Sequence, residues 1–128
     1  MDSLEAVGLY IAINLVLLVW FGLRVVVRRR GSKTSLGDGG HEDLERAIRV
    51  HGNASENIPP ILVGLVAVAL LSGPVWMVHV LGGQLTLGRI FHAVGLSQGT
   101  LIFRQMGMLL TWTCFLLTAA ALVHLIFV

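Results

Sequence analysis

Long apolar stretches alternate with short polar breaks along this chain, and most of the breaks are too brief to hold more than a turn. Apolar residues dominate from about Leu4 to Val27, from Ile61 to Leu71, from Val75 to Leu96 and from Met106 to Phe127. A helix needs about 20 residues, at 1.5 Å each, to cross a bilayer. The run Ile61–Leu71 falls short, so the second span must take in the polar segment before it and is read from about Glu42 to Leu71. Gly31–Gly40 reads as a loop, with Asp38-Gly39-Gly40 as its turn signal. Ser72-Gly73-Pro74 reads as a tight hairpin, and Ser97-Gln98-Gly99-Thr100 as another short turn. The pattern predicts an all-α membrane protein, a four-helix antiparallel transmembrane bundle forming a single domain over residues 1–128. The first span is too long for a signal-peptide core and lacks a basic leader, so it reads as a retained helix. No internal repeat is evident, and no GxxxG face stands out.

Composition agrees. The chain is 55% hydrophobic and only 12% charged, where a soluble domain carries about a quarter charged residues. Its pI near 9.3 reflects topology rather than nucleic-acid binding. All nine Lys and Arg residues fall on one side of the four-span map, at Arg24, Arg28, Arg29, Arg30, Lys33, Arg46, Arg49, Arg89 and Arg104. The positive-inside rule then places these at the cytoplasmic face and both termini outside the cytoplasm. Cys114 lies in an apolar run and has no intrachain partner. No HExxH or CxxC metal spacing, phosphate loop or nucleophile elbow is present.

The informative segment is Arg46–Pro60, where polar residues continue into the second span. Twenty residues back from Ser72 reach Gly52, so Asn53 and Glu56 lie within the hydrocarbon slab, with Arg49 at its edge. A charge there costs roughly 2.5–3.5 kcal/mol and usually faces protein or a wet cavity. On a helix, Arg46, Arg49, Asn53 and Glu56 fall within roughly 80° of arc; Glu42 and Asn57 share the stripe and His51 points away. Pro59 and Pro60 should bend the helix and free the carbonyls near Ser55 and Glu56. On the third span, Arg89 lies at the same depth as Glu56, about 21–22 Å from the outer end. The two are expected to pair, as part of a ligand site or as a structural clamp. His92 shares the face of Arg89, and Arg104 opens the fourth span. With Arg46, Arg49, Arg104 and one of Arg28–Arg30 converging, the ligand should be anionic, because arginine suits bidentate carboxylate binding. Glu56 would receive an ammonium or amide N–H. A zwitterionic peptide with more than one carboxylate fits that pattern. His79 and His124 read as interfacial; Trp20, Trp76 and Trp112 read as span-end anchors or packing.

The pattern Arg46-x-x-Arg49-x-His51-x-Asn53-x-x-Glu56-x-x-Pro59, followed by Gly88-Arg89-x-x-His92-x-x-Gly95, resembles the MAPEG family, the membrane-associated proteins in eicosanoid and glutathione metabolism. Gly37-Asp-Gly-Gly40 and Trp76-Met-Val-His79 resemble its short bacterial inner-membrane branch, the YecN-like proteins. The resemblance implies a homotrimer in the bacterial inner membrane, with glutathione as co-substrate held between neighbouring subunits near the cytoplasmic face. It implies glutathione contacts at Arg49, His51, Asn53 and Glu56, and at Arg104 if one inserted residue is allowed. Arg28 or Arg29 is nearest the arginine that stabilises the glutathione thiolate in some members, giving the two candidate catalytic residues. Together with the residues' own pattern, the candidate binding set is Arg46, Arg49, His51, Asn53, Glu56, Arg89, His92 and Arg104. Catalytic members often carry tyrosines where this chain has Asn57, His92 and Leu96; its single tyrosine is Tyr10.

Three readings follow. One is a glutathione transferase or peroxidase acting on hydrophobic electrophiles or lipid hydroperoxides that enter from the bilayer. The second is a non-catalytic membrane protein that binds lipid or a small anion. The third is an accessory subunit of an inner-membrane complex. All three share the topology, which single-cysteine labelling tests. A cysteine at Ser35 should react only from the cytoplasmic side, and one at Asp2 or Ser72 only from the other side. The reverse pattern would overturn the map.

Overall fold

A computed structural model describes all 128 residues. Four helices account for nearly the whole chain: α1 (Ser3–Ser32), α2 (Glu42–Leu70), α3 (Val75–Gln98) and α4 (Leu101–Phe127). α2 and α3 form the middle of the bundle, and α1 and α4 flank them without touching each other. Side-chain contacts fix the directions. Tyr10 meets His79, Asn14 meets Thr86 and Arg24 meets Ser97, so α1 and α3 run parallel. Ser3 Oγ donates to the Gly73 carbonyl at 2.7 Å, tying the start of α1 to the hairpin between α2 and α3. All nine basic residues therefore belong to the other half of the bundle, toward the α1–α2 loop and the α3–α4 turn.

The expected spans are recovered, with differences at their ends. α1 continues five residues past Val27, and α4 begins at Leu101 rather than Met106, because a helix extends beyond the apolar core it crosses. Between α3 and α4 only Gly99 and Thr100 are non-helical, with Gly99 in the left-handed region at φ 69°, where a side chain would be strained. α2 stays unbroken through Pro59 and Pro60. α1, α2 and α4 are long and apolar enough to cross a membrane. α3 is long enough, at 24 residues, but less apolar, because it carries His79, Gln84, Arg89 and His92. It is also the helix with the most buried residues, nine, so protein rather than lipid surrounds its polar groups.

The buried face of α2 reads Leu44, Ala47, Val50, Ala54, Ile58, Ile61, Leu65 and Val68. Steps of three and four keep one stripe turned inward. α3 and α4 make the broadest contact, and three glycines bring their backbones together. A Cβ on Gly107 would lie 2.3 Å from His92 N, and one on Gly95 would lie 2.2 Å from Arg104 N. A Cβ on Gly88 would come more loosely, to 3.2 Å, against the Gly107 carbonyl. Close approach at small residues is the usual device where lipid offers no hydrophobic drive for helix association. The small-residue face is thus present after all. Gly88 and Gly95 are seven residues apart, two full turns, and the GxxxG spacing Gly95–Gly99 runs off the end of α3 rather than along this face.

Several polar side chains inside the bundle are paired across helices. Asn14 donates to the Tyr10 carbonyl and to Thr86 Oγ1, at 2.9 and 3.1 Å. Gln84 donates to the Leu110 carbonyl and to Thr113 Oγ1. His79, expected at the interface, packs edge-on against Tyr10 and lies 3.2 Å from its hydroxyl.

The glycine seam gives a stability test. Gly107→Ala should destabilise the bundle by about 1–3 kcal/mol, the usual range for overpacking, since the new methyl meets backbone that has little freedom to give. Gly8→Ala, where nothing lies within 4 Å, should be neutral or slightly stabilising. Unfolding of the purified protein followed by helical circular dichroism checks both.

Candidate functional site

Arg89 is the centre of the polar half of the bundle. It is 1% exposed and donates to groups on two other helices. One terminal nitrogen donates to Asn53 Oδ1 on α2 at 2.6 Å. The other donates to Thr111 Oγ1 and, at 3.4 Å, to the Gly107 carbonyl on α4. Its Nε has no hydrogen-bond partner. No carboxylate takes part. The expected Glu56–Arg89 ion pair is not formed: Glu56 is exposed and makes no salt bridge. The two residues share a depth but not a direction. Glu56 points roughly 160° away from Ala54 on the buried stripe of α2, whereas Asn53 is only about 100° from it. Asn53 is therefore the member of the polar stripe that reaches Arg89. The one sequence signal of Thr111 and the Gly107 carbonyl is a threonine in the apolar run of α4, four residues after a glycine.

The remaining candidates fall into two groups. Arg49 and Glu56 lie exposed on the outer face of α2, together with Glu45 and, further along, Val63 and Leu70. Arg46 is half-buried and turns inward, ion-paired with Glu42 one turn before it. It borders two cavities. One, of about 200 Å³, is lined entirely by polar residues: Arg24, Arg28, Glu42, Asp43, Arg46 and Ser97. The other, of about 260 Å³, lies at the α3–α4 turn and includes Leu96 and Arg104. Within one chain the arginines therefore do not converge on a single point. Arg46 meets Arg28 on one side and Arg104 on the other, and Arg49 lines neither cavity.

The two candidate catalytic arginines have different surroundings. Arg29 folds back on the loop that follows α1. Its guanidinium donates to the carbonyls of Thr34, Ser35 and Gly37, at 3.4, 3.3 and 2.8 Å. That places a positive charge at the C-terminal end of the helix, where its dipole favours one, and occupies Arg29 in holding the loop. Arg28 faces the polar cavity, with Nε 3.6 Å from Asp43 Oδ2. The acidic first turn of α2, Glu42, Asp43 and Glu45, suits the positive end of that helix and supplies the partners of Arg28 and Arg46. His51 lies against α1, where a Cβ at Gly22 would come within 3.4 Å of its Nε2. His92 is buried in the α3–α4 seam. Arg104 is exposed at the start of α4, beside an apolar hollow of about 440 Å³ that includes Met108, Leu109 and Trp112.

A family model described as "MAPEG family" matches residues 7–124. The chain is also 37% identical, over 114 residues, to a protein named "Inner membrane protein YecN" in Escherichia coli strain K12. The same identity holds for the protein of that name in E. coli O6:H1 strain CFT073. The match covers 89% of this chain and 87% of each relative. No solved structure matches significantly.

The Arg89 node predicts a specific pattern of coupling. Asn53→Leu should destabilise the protein by about 1.5–3 kcal/mol, the range for a hydrogen bond to a charged group. A double-mutant cycle between Asn53 and Arg89, read by chemical denaturation in detergent, should show clear coupling. The cycle between Glu56 and Arg89 should be close to additive. Coupling only in the second would refute the node.

Proposed function

The chain belongs to the MAPEG family, and from that premise we propose that it is a homotrimeric glutathione-binding protein of the bacterial inner membrane. The observation that supports this best is the outer face of α2. Arg49 and Glu56 are exposed there, Arg49 at the edge of the hydrocarbon slab and Glu56 at a depth where lipid is a poor neighbour for charge. A face of this kind calls for a protein partner, and a second copy of the chain is the simplest one. Glutathione fits the chemistry left open: Arg49 binds a carboxylate as a charge-assisted pair, and Glu56 accepts from the ammonium or an amide. Asn53 lies between that face and the Arg89 node and supplies its side-chain amide. His51, turned toward α1 within its own chain, lies on a different side of α2 and so would meet a ligand bound by the neighbouring copy. The arginine-bearing end is cytoplasmic in this reading, where glutathione is at hand.

For turnover, the thiol must be held as thiolate beside a cation. Arg28 is the better of the two α1 candidates, because Arg29 is committed to the loop carbonyls. Arg104 stands beside the apolar hollow that would admit a hydrophobic electrophile or lipid hydroperoxide from the membrane. The chain's own residues would then position the tripeptide, lower the thiol pKa and bring the second substrate close. A second reading, glutathione or lipid binding without turnover, is favoured by Asn57, His92 and Leu96, which offer no phenol where catalytic relatives often have one.

Isothermal titration of the purified assembly with glutathione tests the binding claim. Saturable binding at millimolar concentration or below is expected. Arg49→Leu should weaken it by about 1.5–3 kcal/mol, or roughly ten- to a hundredfold in Kd. Arg28→Leu should instead leave affinity nearly unchanged and reduce the near-ultraviolet thiolate absorbance of the bound complex. Absence of any saturable heat would exclude the glutathione reading and leave the lipid-binding one.

A further inference from the structure

The polar cavity at the arginine-bearing end and the groove between α1 and α3 adjoin at two shared lining residues, both outside the candidate set. Arg24 lines both, together with Ser97. The groove, of about 360 Å³, is lined by Leu17, Trp20, Phe21, Ile90, Ala93 and Val94, with Gln98 at its end. α1 and α3 are parallel here, so the groove runs along the membrane normal. Leu17 to Arg24 and Ile90 to Ser97 each span seven residues, roughly 10 Å of helix. Trp20 and Val94 are exposed at its mouth, which opens sideways rather than into the bundle.

The charges in the polar cavity do not balance. Its lining holds three arginines and two carboxylates. Arg46 is paired with Glu42, and Arg28 faces Asp43. Arg24 has no carboxylate partner among the salt bridges; it donates to Ser97 Oγ at 2.9 Å. The unmatched cation is thus the one at the top of the apolar groove. Arg28 Nη1 donates back to the Arg24 carbonyl at 3.4 Å, and its Nε is buried with no hydrogen-bond partner. The cavity has the volume of roughly six or seven waters at about 30 Å³ each, room for a phosphate and part of its ester.

We propose that this is a phospholipid site. An anionic glycerophospholipid, from the leaflet that meets the arginine-bearing end, seats its phosphate against Arg24 and Ser97. The upper part of one acyl chain lies in the α1–α3 groove. A polar cup with one surplus arginine, open on one side to an apolar groove, matches a molecule with one negative charge joined to a chain. Basic pockets between membrane helices take anionic headgroups for the same reason. A free phosphate would satisfy the cup and leave the groove unexplained. The phosphate position at Arg24 and Ser97 is separate from the Arg49–Glu56 face; Arg28, proposed above for the thiolate, lines the same cup, so the lipid is tested without glutathione present.

Native mass spectrometry of the purified full-length protein tests this, using equal amounts of dioleoyl phosphatidylglycerol and dioleoyl phosphatidylcholine in a nonionic detergent. One phosphatidylglycerol per chain should be retained, preferred over phosphatidylcholine by about tenfold or more. Arg24→Gln should bring the two lipids near parity, while Arg30→Gln, an exposed arginine outside both cavities, should change nothing. Val94→Trp, which fills the groove, should reduce retention of both lipids. An equal loss in Arg30→Gln would mean diffuse surface charge and overturn the proposal. So would displacement of phosphatidylglycerol by millimolar inorganic phosphate with Val94→Trp silent, since the cup would then serve a soluble anion. Helical circular dichroism establishes that each variant is folded. Should Arg24→Gln fail to fold, the wild-type lipid preference and the Val94→Trp response decide the matter on their own.

Discussion

A buried guanidinium with no carboxylate partner sets the conditions for the rest of this bundle. Arg89 must find its acceptors among neutral groups, and in a membrane interior no water replaces a missing one. α4 supplies a hydroxyl and a backbone carbonyl, Thr111 and Gly107. They are within reach because Gly88, Gly95 and Gly107 let the two backbones nearly touch. α2 supplies Asn53, and this fixes how α2 is rotated. With Ala54 and Ile58 buried and Asn53 turned to Arg89, Arg49 and Glu56 are left pointing outward. The packing of α3 on α4 and the display of charge on the far side of α2 are thus linked through one side chain.

That rotation divides the arginine-bearing end into two polar regions. The inner one lies among α1, α2 and α3, where the acidic first turn of α2 meets the basic last turns of α1, and each helix end also suits its neighbour's charge. The outer one, on α2, has no partner within the chain. A soluble protein could leave such a face to water. A membrane protein needs another protein surface over it, which is why the proposed glutathione site lies between copies rather than within one. In that proposal function is tied to assembly: His51, turned away from Arg49 in its own chain, would reach a ligand held by a neighbouring copy.

The architecture was legible in the sequence because span length, hairpin residues and charge asymmetry are all one-dimensional signals. Glu42 as the start of α2 and Val75 as the start of α3 followed from them. The polar stripe on α2 was legible too, since helical periodicity orders its residues. What failed was the step from depth to contact. Glu56 and Arg89 sit at one level, but a helix face must also be turned toward its partner, and the inward direction of α2 is set by the whole stripe from Leu44 to Val68. The glycine seam was hidden by its two-turn spacing. The commitment of Arg29 to loop carbonyls, and the lone charge of Arg24, depend on contacts across non-adjacent segments that no spacing rule encodes.

The central claim is that the outward charges of α2 form a ligand site completed by a neighbouring copy. An experimental structure of the purified assembly with glutathione, by electron cryomicroscopy, tests it most directly. The result predicted is tripeptide density on the outer face of α2, with a carboxylate at Arg49, the ammonium or an amide N–H at Glu56, and a second copy closing the site. Glutathione density confined to the inner cavity among α1, α2 and α3, or an assembly in which lipid rather than protein covers Arg49 and Glu56, would contradict it.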